Sequence, residues 1–490
     1  MLKKVLIANR GEIACRIIRT LRKEGIASVA VYHAEDRSAP HVSMADEAVL
    51  LEADVPTAAY LDQRQLVAVA RGAGADAVHP GYGFLAENAA FAEQVEAAGL
   101  MFIGPDPAVI RLMGDKIHAR DFARKHGVPL APSAVQQGDF DEFIASATAV
   151  GFPVLLKAAA GGGGKGMRIA YNAIELVENV SVAAGEARRY FGDGRIYAER
   201  YIEQPRHIEV QILGDGTGNV VHLGERECSL QRRYQKIVEE SPAPNLPEST
   251  KNAICEAAVR LASAARYRNA GTVEFVLAPE GNFYFLEMNT RLQVEHPVTE
   301  AVLGIDLVLE QLRIAAGCGL SFSQSELRPT GHAIECRICA EQPEREFRPA
   351  TGRIGILRLP EGERVRFDGG IREGQLVTAA FDSMLGKLIA WGPTRAEAAA
   401  TLERALRETV VLGVPTNVDY LARIMRHPEF LAGRLHTGFL AGHASDLASP
   451  PPSAVEEAVV AIAAALTDTD FRCVALEVPE PHASIGYWRN

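Results

Sequence analysis

Apolar positions along the chain follow two rhythms. The stretch KKVLIA, from Lys3 to Ala8, reads as a short buried strand, and a turn follows at Asn9-Arg10-Gly11. Ile13, Ile17, Ile18 and Leu21 then recur at the spacing of one helix face. IASVAVYH, from Ile26, is the next strand. This β-α-β alternation continues to about residue 110 and predicts a doubly wound, Rossmann-like α/β domain over 1–115. Its first turn lacks G-x-G-x-x-G, so no dinucleotide is expected there. Beyond Lys116 a period of two takes over. FPVLLKAAAGGGGKGMRIAY predicts strand, glycine loop and strand, and TVEFVL and NFYFLE predict two more strands. A third block, 331–446, carries short alternating segments such as GHAIECRI and KLIAW, then helices, one around RAEAAATLERALRE. ASPPPS opens a linker-like tail over 447–490 that continues as an Ala-rich helix, SAVEEAVVAIAAAL. The class is α/β, α+β overall, with no internal repeat.

The informative places are those where polar residues break this pattern. In EMNTRLQVEHPVTE, Glu287 to Glu300, a continuing strand would set Glu287, Asn289, Arg291, Gln293 and Glu295 on one face, with Met288, Leu292 and Val294 on the other. Such a face cannot be packed dry without a large desolvation cost. Glu274, between apolar neighbours in TVEFVL, would join Glu287 and Asn289 in an all-oxygen set suited to Mg²⁺ or Mn²⁺. Arg291 would then hold an anion, and Glu295 would be free to act as a base. The glycine run GGGGKG is not a P-loop, since Gly166 follows Lys165 where Ser or Thr is required. Between two strands it reads as a flap whose backbone N–H groups, at Gly163 and Gly164, close over phosphates, with Lys116 and Lys157 as clamps. The Glu199, Arg200, Tyr201, Ile202 segment and His207 read either as a crevice strand facing an adenine or as a surface hairpin. Tyr82 and Glu87, in HPGYGFLAEN, read either as a structural loop or as a pocket edge. The basic run Arg232, Arg233, Lys236 fits either a surface loop or an anion site.

Composition excludes some roles. A net charge of -11, from 51 basic and 62 acidic residues, gives no nucleic-acid footprint. No apolar run reaches the roughly 18–20 residues of a membrane span. Seven scattered cysteines and no export signal lead us to expect a cytoplasmic protein with free thiols, and the lone C-x-x-C at Cys336 and Cys339 lies in a strand-like segment.

IANRGEIA, HPGYGFLAEN, MGDK, GGGGKGM, QRRYQK, EMNTRLQVEHPVTE and ECRI occur in that order. In this the sequence, from residue 1 to about 446, resembles biotin carboxylase, the ATP-grasp component of biotin-dependent carboxylases. The resemblance implies an ATP-grasp domain over 116–330, with a mobile glycine-rich lid at about 132–203, and a mixed C-terminal domain over 331–446. It implies ATP held by Lys116, Lys157, Gly163, Gly164, Glu199, Arg200, Tyr201, Ile202, His207 and Tyr234, together with Glu274 and Glu287. It implies cations at two sites on Glu274, Glu287 and Asn289, and bicarbonate on Lys236, Arg291, Val294 and Arg337. Glu295 would deprotonate bicarbonate, and Arg337 would also contact the biotin ureido oxygen, with Tyr82 and Glu87 near biotin. Biotin would arrive as a carrier-bound substrate, since no Met-Lys-Met attachment sequence is present. Expected partners are a biotin carboxyl carrier protein, carboxyltransferase subunits and a second copy of the chain. The parent enzyme would be an acetyl-CoA or other acyl-CoA carboxylase, or the corresponding pyruvate, propionyl-CoA or methylcrotonyl-CoA enzyme; another ATP-grasp carboxylate ligase is the alternative. Three positions depart from the family pattern: Tyr234 for the usual His, Cys339 for Asn, and Phe381 for Tyr near the expected biotin pocket.

Overall fold

In the computed structural model, the described residues are 2–136, 139–159, 167–451 and 453–468. The glycines Gly163 and Gly164 of the expected flap lie outside them. The N-terminal region is the predicted doubly wound sheet. Its five strands are ordered Glu47–Leu50, Ala27–Tyr32, Lys4–Ile7, Ala77–His79, Met101–Phe102, and all neighbours run parallel. Helix Gly11–Lys23 buries Ile13, Ile17, Ile18 and Leu21, the stripe read from the sequence. The strand order reverses between Lys4–Ile7 and Ala77–His79, and in such sheets ligands bind off the carboxyl ends at that point. The two loops that leave those ends are tied together by the Asn9 amide, which donates to the carbonyls of Pro80 and Tyr82. The HPGYGFLAEN loop is therefore held at the edge where a site would form.

A four-stranded antiparallel sheet, ordered Ser133–Val135, Ile196–Arg200, Val154–Ala158, Arg168–Ala170, carries the expected lid region. Helices Phe140–Val150 and Ala173–Phe191 supply its small core, in which Phe143, Leu156, Leu176 and Val180 are buried together. The largest sheet has eight strands, ordered Phe283–Asn289, Arg268–Leu277, Arg206–Asp215, Val220–Arg232, Gln235–Ser241, His332–Cys339, Met384–Gly392, Val365–Gly369. Ser241 pairs with Ala333, so this sheet runs unbroken across residue 330. The chain through Leu447 is accordingly one compact unit. From Ala448 a second unit begins, whose described part contains the predicted Ala-rich helix, Ala454–Asp468.

Two details of the large sheet differ from the alternation read in the sequence. The strand that begins at Phe283 ends at Asn289, where EMNTRLQVEHPVTE was expected to continue as one strand to Glu295. Residues 290–295 form a turn that leads into helix His296–Leu303, so Arg291, Gln293 and Glu295 are delivered from a loop rather than from one strand face. The physical reason is a Pro at the first helical turn, Pro297, beyond a run that satisfies its polar groups through side chains. The second detail is a two-residue turn at Arg233 and Tyr234, both with positive φ, which joins Val220–Arg232 to Gln235–Ser241.

Arg226 lies at the centre of this sheet with none of its surface exposed. Its guanidinium donates to Glu209, Gln211, Thr299, Thr272 and Gln293, at 2.5 to 3.2 Å. It thereby ties two strands, the 290–295 turn and the helix after it. Breaking a buried charge pair from one side costs roughly 3–5 kcal/mol. Arg226→Met should lower the thermal unfolding midpoint by several degrees, roughly 2–4 °C per kcal/mol. An unchanged midpoint in a calorimetric melt would show that this network does not hold the sheet to the turn.

Candidate functional site

A cavity of about 570 Å³ opens between the lid sheet and the large sheet. It is lined by Lys116, Lys157, Glu199, Arg200, Tyr201, Ile202, His207 and Tyr234, and by Lys236, Glu274, Glu287, Asn289, Arg291, Val294, Glu295 and Arg337. Tyr82 lines it as well. All the described residues to which the family resemblance gave a ligand, metal or catalytic role thus line one chamber, except Glu87. Glu87 stands just behind it: its carboxylate accepts from the Thr290 N–H at 3.1 Å and from Arg291 Nε at 2.8 Å. It fixes the loop arginine rather than reaching the cavity.

At the lid end, Lys157 is buried and ion-pairs with Glu199, whose other oxygen accepts from Arg120 at 2.9 Å. Burial lowers the Lys157 ammonium from its ordinary value even against the pull of Glu199. Burial would raise Glu199, but Lys157 and Arg120 hold it below the usual carboxylate range. An anion beside Lys157 would restore the charge balance that burial erodes. The Arg200 and Tyr201 amides are spent on the carbonyls of Pro132 and Pro153. The Ile202 amide makes no backbone bond among the described residues.

On the large sheet, Glu274 and Glu287 sit directly opposite each other on adjacent antiparallel strands, with Asn289 across from Thr272. Three oxygen donors from neighbouring positions suit a hard divalent cation. In this structure cationic side chains and amides satisfy them. Lys116 Nζ donates to Glu287 at 2.7 Å. Glu274 receives Lys236 at 2.8 Å, Asn289 at 2.9 Å and Gln293 at 2.7 Å, and His207 Nε2 stands 2.9 Å from its second oxygen. The Gln231 amide donates to His207 Nδ1 at 2.8 Å. Against burial, Lys236 and His207 draw Glu274 well below the ordinary carboxylate range.

Lys236 is the hub. Its ammonium donates to Glu209, Glu274 and Glu295 at 2.6, 2.8 and 2.7 Å, one carboxylate for each of its three protons. Glu295 is shared: its second oxygen accepts from Arg337 Nη2 at 2.9 Å. Burial would push Glu295 up, but Lys236, Arg337 and Arg226 hold it far below the usual range. Glu295, read from the sequence as free to act as a base, is doubly ion-paired in this structure.

Two participants were not read from the sequence. Arg120 and Glu209 complete the charge pairing. Glu209 in HIEVQI carries the same signal as Glu274 in TVEFVL, a carboxylate alone among apolar neighbours of a strand. Of the departing residues, Tyr234 and Cys339 line the cavity. The Phe381 ring lies 3.8 Å from the Arg10 guanidinium and edge-on to Tyr60, packed against the core of the N-terminal sheet, and the residues after it, Asp382 to Met384, line the cavity. The basic run divides: Lys236 is part-buried at the hub, Arg232 pairs with Glu341, and Arg233 is exposed. The described cysteines, Cys336 and Cys339 among them, are free thiols.

Comparison with known proteins agrees with this geometry. Residues 1–110 match the biotin carboxylase N-terminal domain, 115–323 the ATP binding domain of the carbamoyl-phosphate synthase L chain, and 335–442 the biotin carboxylase C-terminal domain. The chain is 49% identical to the biotin carboxylase of Nostoc sp. over 438 residues, covering 89% of this chain and 98% of that one. It is 47% identical to the propionyl-CoA carboxylase alpha chain of Ruegeria pomeroyi, covering 90% of this chain and 68% of that one. The biotin carboxylase domain of Hydrogenobacter thermophilus 2-oxoglutarate carboxylase, solved as a dimer with MgADP, ADP and bicarbonate, superposes with a TM-score of 0.89 at 45% identity, over 92% of this chain and all of that one. With the cavity's lysines, carboxylates and arginines in place and these matches across nearly its whole length, the chain belongs to the biotin carboxylase family of ATP-dependent ligases.

Proposed function

We propose that this chain uses ATP and bicarbonate to carboxylate biotin on a biotin carboxyl carrier protein, through carboxyphosphate. It thereby performs the first half-reaction of a biotin-dependent carboxylase such as an acetyl-CoA or acyl-CoA carboxylase. The observation that carries this is Lys236 bound to three carboxylates, one of them shared with Arg337, on the wall of the large cavity. ATP lies with its phosphates on Lys116, Lys157 and His207, and its base against the Arg200–Ile202 segment; the domain division at 116 and 331 and the lid over about 132–203 belong to this reading. The phosphate-covering role read for Gly163 and Gly164 in the sequence belongs to this proposal, and both lie outside the described residues. Glu274, Glu287 and Asn289 hold Mg²⁺ or Mn²⁺, at two sites, which neutralises phosphate charge during transfer. Homologous structures solved with MgADP support that assignment.

Bicarbonate binds to Lys236, Arg291, Arg337 and the Val294 backbone. The Val294 carbonyl is pinned at 2.5 Å by Lys387, and Arg291 is set by Glu87, so both contacts are preorganised. A bound anion competes with Glu295 for Lys236 and Arg337. As those contacts shift to the substrate, the carboxylate loses the partners that depress it and becomes a competent base. Bicarbonate thus raises the basicity of the group that deprotonates it. After carboxyphosphate decomposes to CO₂ and phosphate, phosphate takes the biotin N–H proton, and Arg337 stabilises the ureido oxygen as charge builds on it. Tyr82, at the mouth, borders the biotin position.

The partners in this reading are the carrier, carboxyltransferase subunits and a second copy of the chain, the last supported by the solved dimer of a relative. The setting is the cytoplasm, with which the free thiols of the described cysteines agree. The assay is ATP hydrolysis that requires bicarbonate and is stimulated by free biotin; hydrolysis indifferent to both would overturn the assignment.

Two expectations follow from the site. Glu287→Gln removes one negative charge at nearly constant shape, so turnover should fall by about a hundredfold or more while the fold persists. Turnover near wild type at ordinary Mg²⁺ would exclude Glu287 as a ligand. Arg337→Ala should cost roughly 3 kcal/mol in biotin carboxylation, about a hundredfold, and less in bicarbonate-dependent ATP hydrolysis. Equal losses in the two assays would confine Arg337 to bicarbonate binding.

A further inference from the structure

Arg337 has a second carboxylate partner. Glu239 Oε1 accepts from its Nε at 2.6 Å and stands 2.5 Å from its Nη2. Nη2 is thus held between Glu239 and Glu295, while Nη1 has no partner among the described residues. Glu239 in turn lies directly opposite Glu335 on the adjacent antiparallel strand, where Cβ atoms stand about 4.5–5.5 Å apart. Both residues are wholly buried. Glu239 Oε2 and both oxygens of Glu335 have no hydrogen-bond donor.

Two carboxylates this close and this dry cannot both be charged without nearby cations. The cations facing them are already engaged. Arg337 answers to Glu239 and Glu295, and Lys236 to Glu209, Glu274 and Glu295. Lys387, on the strand beyond, gives its ammonium to the Val294 carbonyl and stands 3.3 Å from Glu12 of the N-terminal helix. Glu335 is the carboxylate left with nothing.

We infer that Glu239 and Glu335 share a single proton, carried mainly by Glu335, and that the remaining charge on Glu239 is the fixed anchor that positions Arg337. The inference rests on the role proposed for Arg337. When Glu295 takes the bicarbonate proton, it releases Nη2. Glu239 keeps its grip on the Nε edge, so the guanidinium stays in place and turns its freed N–H toward the ureido oxygen rather than following Glu295. The proton on Glu335 limits the pair to one negative charge. A second would draw Arg337 back into the sheet and weaken its pull on the biotin oxygen. Burial pushes both carboxyls above the ordinary carboxylate range, Glu335 the further, which places the proton on Glu335.

The test has two arms, run on the full chain. Glu239→Gln should lower biotin carboxylation by about tenfold or more, with a smaller loss of bicarbonate-dependent ATP hydrolysis. Equal losses, or none, would overturn the anchoring role. If Glu239→Gln does not accumulate as folded protein, Glu239→Asp, which keeps the charge but withdraws it by one methylene, is read the same way. Wild-type hydrolysis that ignored bicarbonate and biotin would instead indict the reading of the whole site. The second arm is Glu335→Gln, an uncharged group of the same shape that can donate as a protonated acid does. A carboxyl whose native pKa is raised binds its proton in the folded state and loses it on unfolding. Stability therefore falls as pH climbs from the ordinary carboxylate range toward the native value. Glu335→Gln should fold, remove that decline, and melt at or above the wild-type temperature at pH 8, on the alkaline side of that range. It should also lose one infrared carbonyl band of a buried protonated acid. A variant that melts lower, or fails to fold, would mean that Glu335 is ionised and paired in the native protein, and the proton-sharing pair would be abandoned.

Discussion

The structure around the cavity depends on one constraint: a part-buried ammonium on its wall, that of Lys236, must be neutralised by neighbouring side chains. It has three protons and receives three carboxylates, from the strand Arg206–Asp215, the strand Arg268–Leu277 and the turn before helix His296–Leu303. Those carboxylates then need partners of their own. Arg226 answers Glu209, His207 answers Glu274, and Arg337 answers Glu295. Arg337 calls in Glu239, and the chain of obligations stops only where a proton replaces a cation. Each link joins a different segment, so neutralising one lysine fixes the relative positions of five strands and a turn. Such clusters are poor contributors to stability, because desolvation offsets most of the Coulomb attraction. Their value here is positional.

The same constraint explains which parts of the site were legible in the sequence. Glu274 and Glu287 stood out because a carboxylate inside an alternating apolar run has no cheap explanation. The glycine run and Lys157 stood out because strand, glycines and strand make a flap. Arg226, Glu209 and Glu335 broke their strands in the same way, yet their partners lie on strands far away in sequence; Glu239 and Glu335 meet across 95 intervening positions. Periodicity reports that a polar residue is buried but not what it touches. The Arg233–Tyr234 turn was illegible for a different reason: neither residue is a usual choice for positive φ, so no local signal marks it.

The end of the strand at Asn289 was also hidden, and it matters to the chemistry. Had the strand continued, Glu295 and Arg291 would be fixed by the sheet's hydrogen-bond ladder at sheet spacing. Delivered instead by a turn, they are set by side chains. Glu87 holds the turn at the Thr290 amide and at Arg291, Arg226 holds Gln293, and Lys387 holds the Val294 carbonyl. Three elements from three regions of the chain converge on six residues. A loop built this way can place a base and an anion-binding arginine side by side, which alternating strand positions about 6–7 Å apart would not allow so closely.

Under the proposed function, Glu295 would be an ion-paired carboxylate that still serves as a base. In the structure it is held between two cations, which favour its ionised form and lower its proton affinity. The affinity need only appear when bicarbonate does, and the substrate's own charge supplies it, by engaging the lysine and arginine that had suppressed it. The site thus separates two demands that a solvent-exposed carboxylate would have to compromise between: to be deprotonated in the resting enzyme and to accept a proton in the loaded one. The separation requires that Lys236 and Arg337 be movable in their bonding but fixed in place. Glu209 and Glu274 provide this for the lysine, and Glu239 for the arginine.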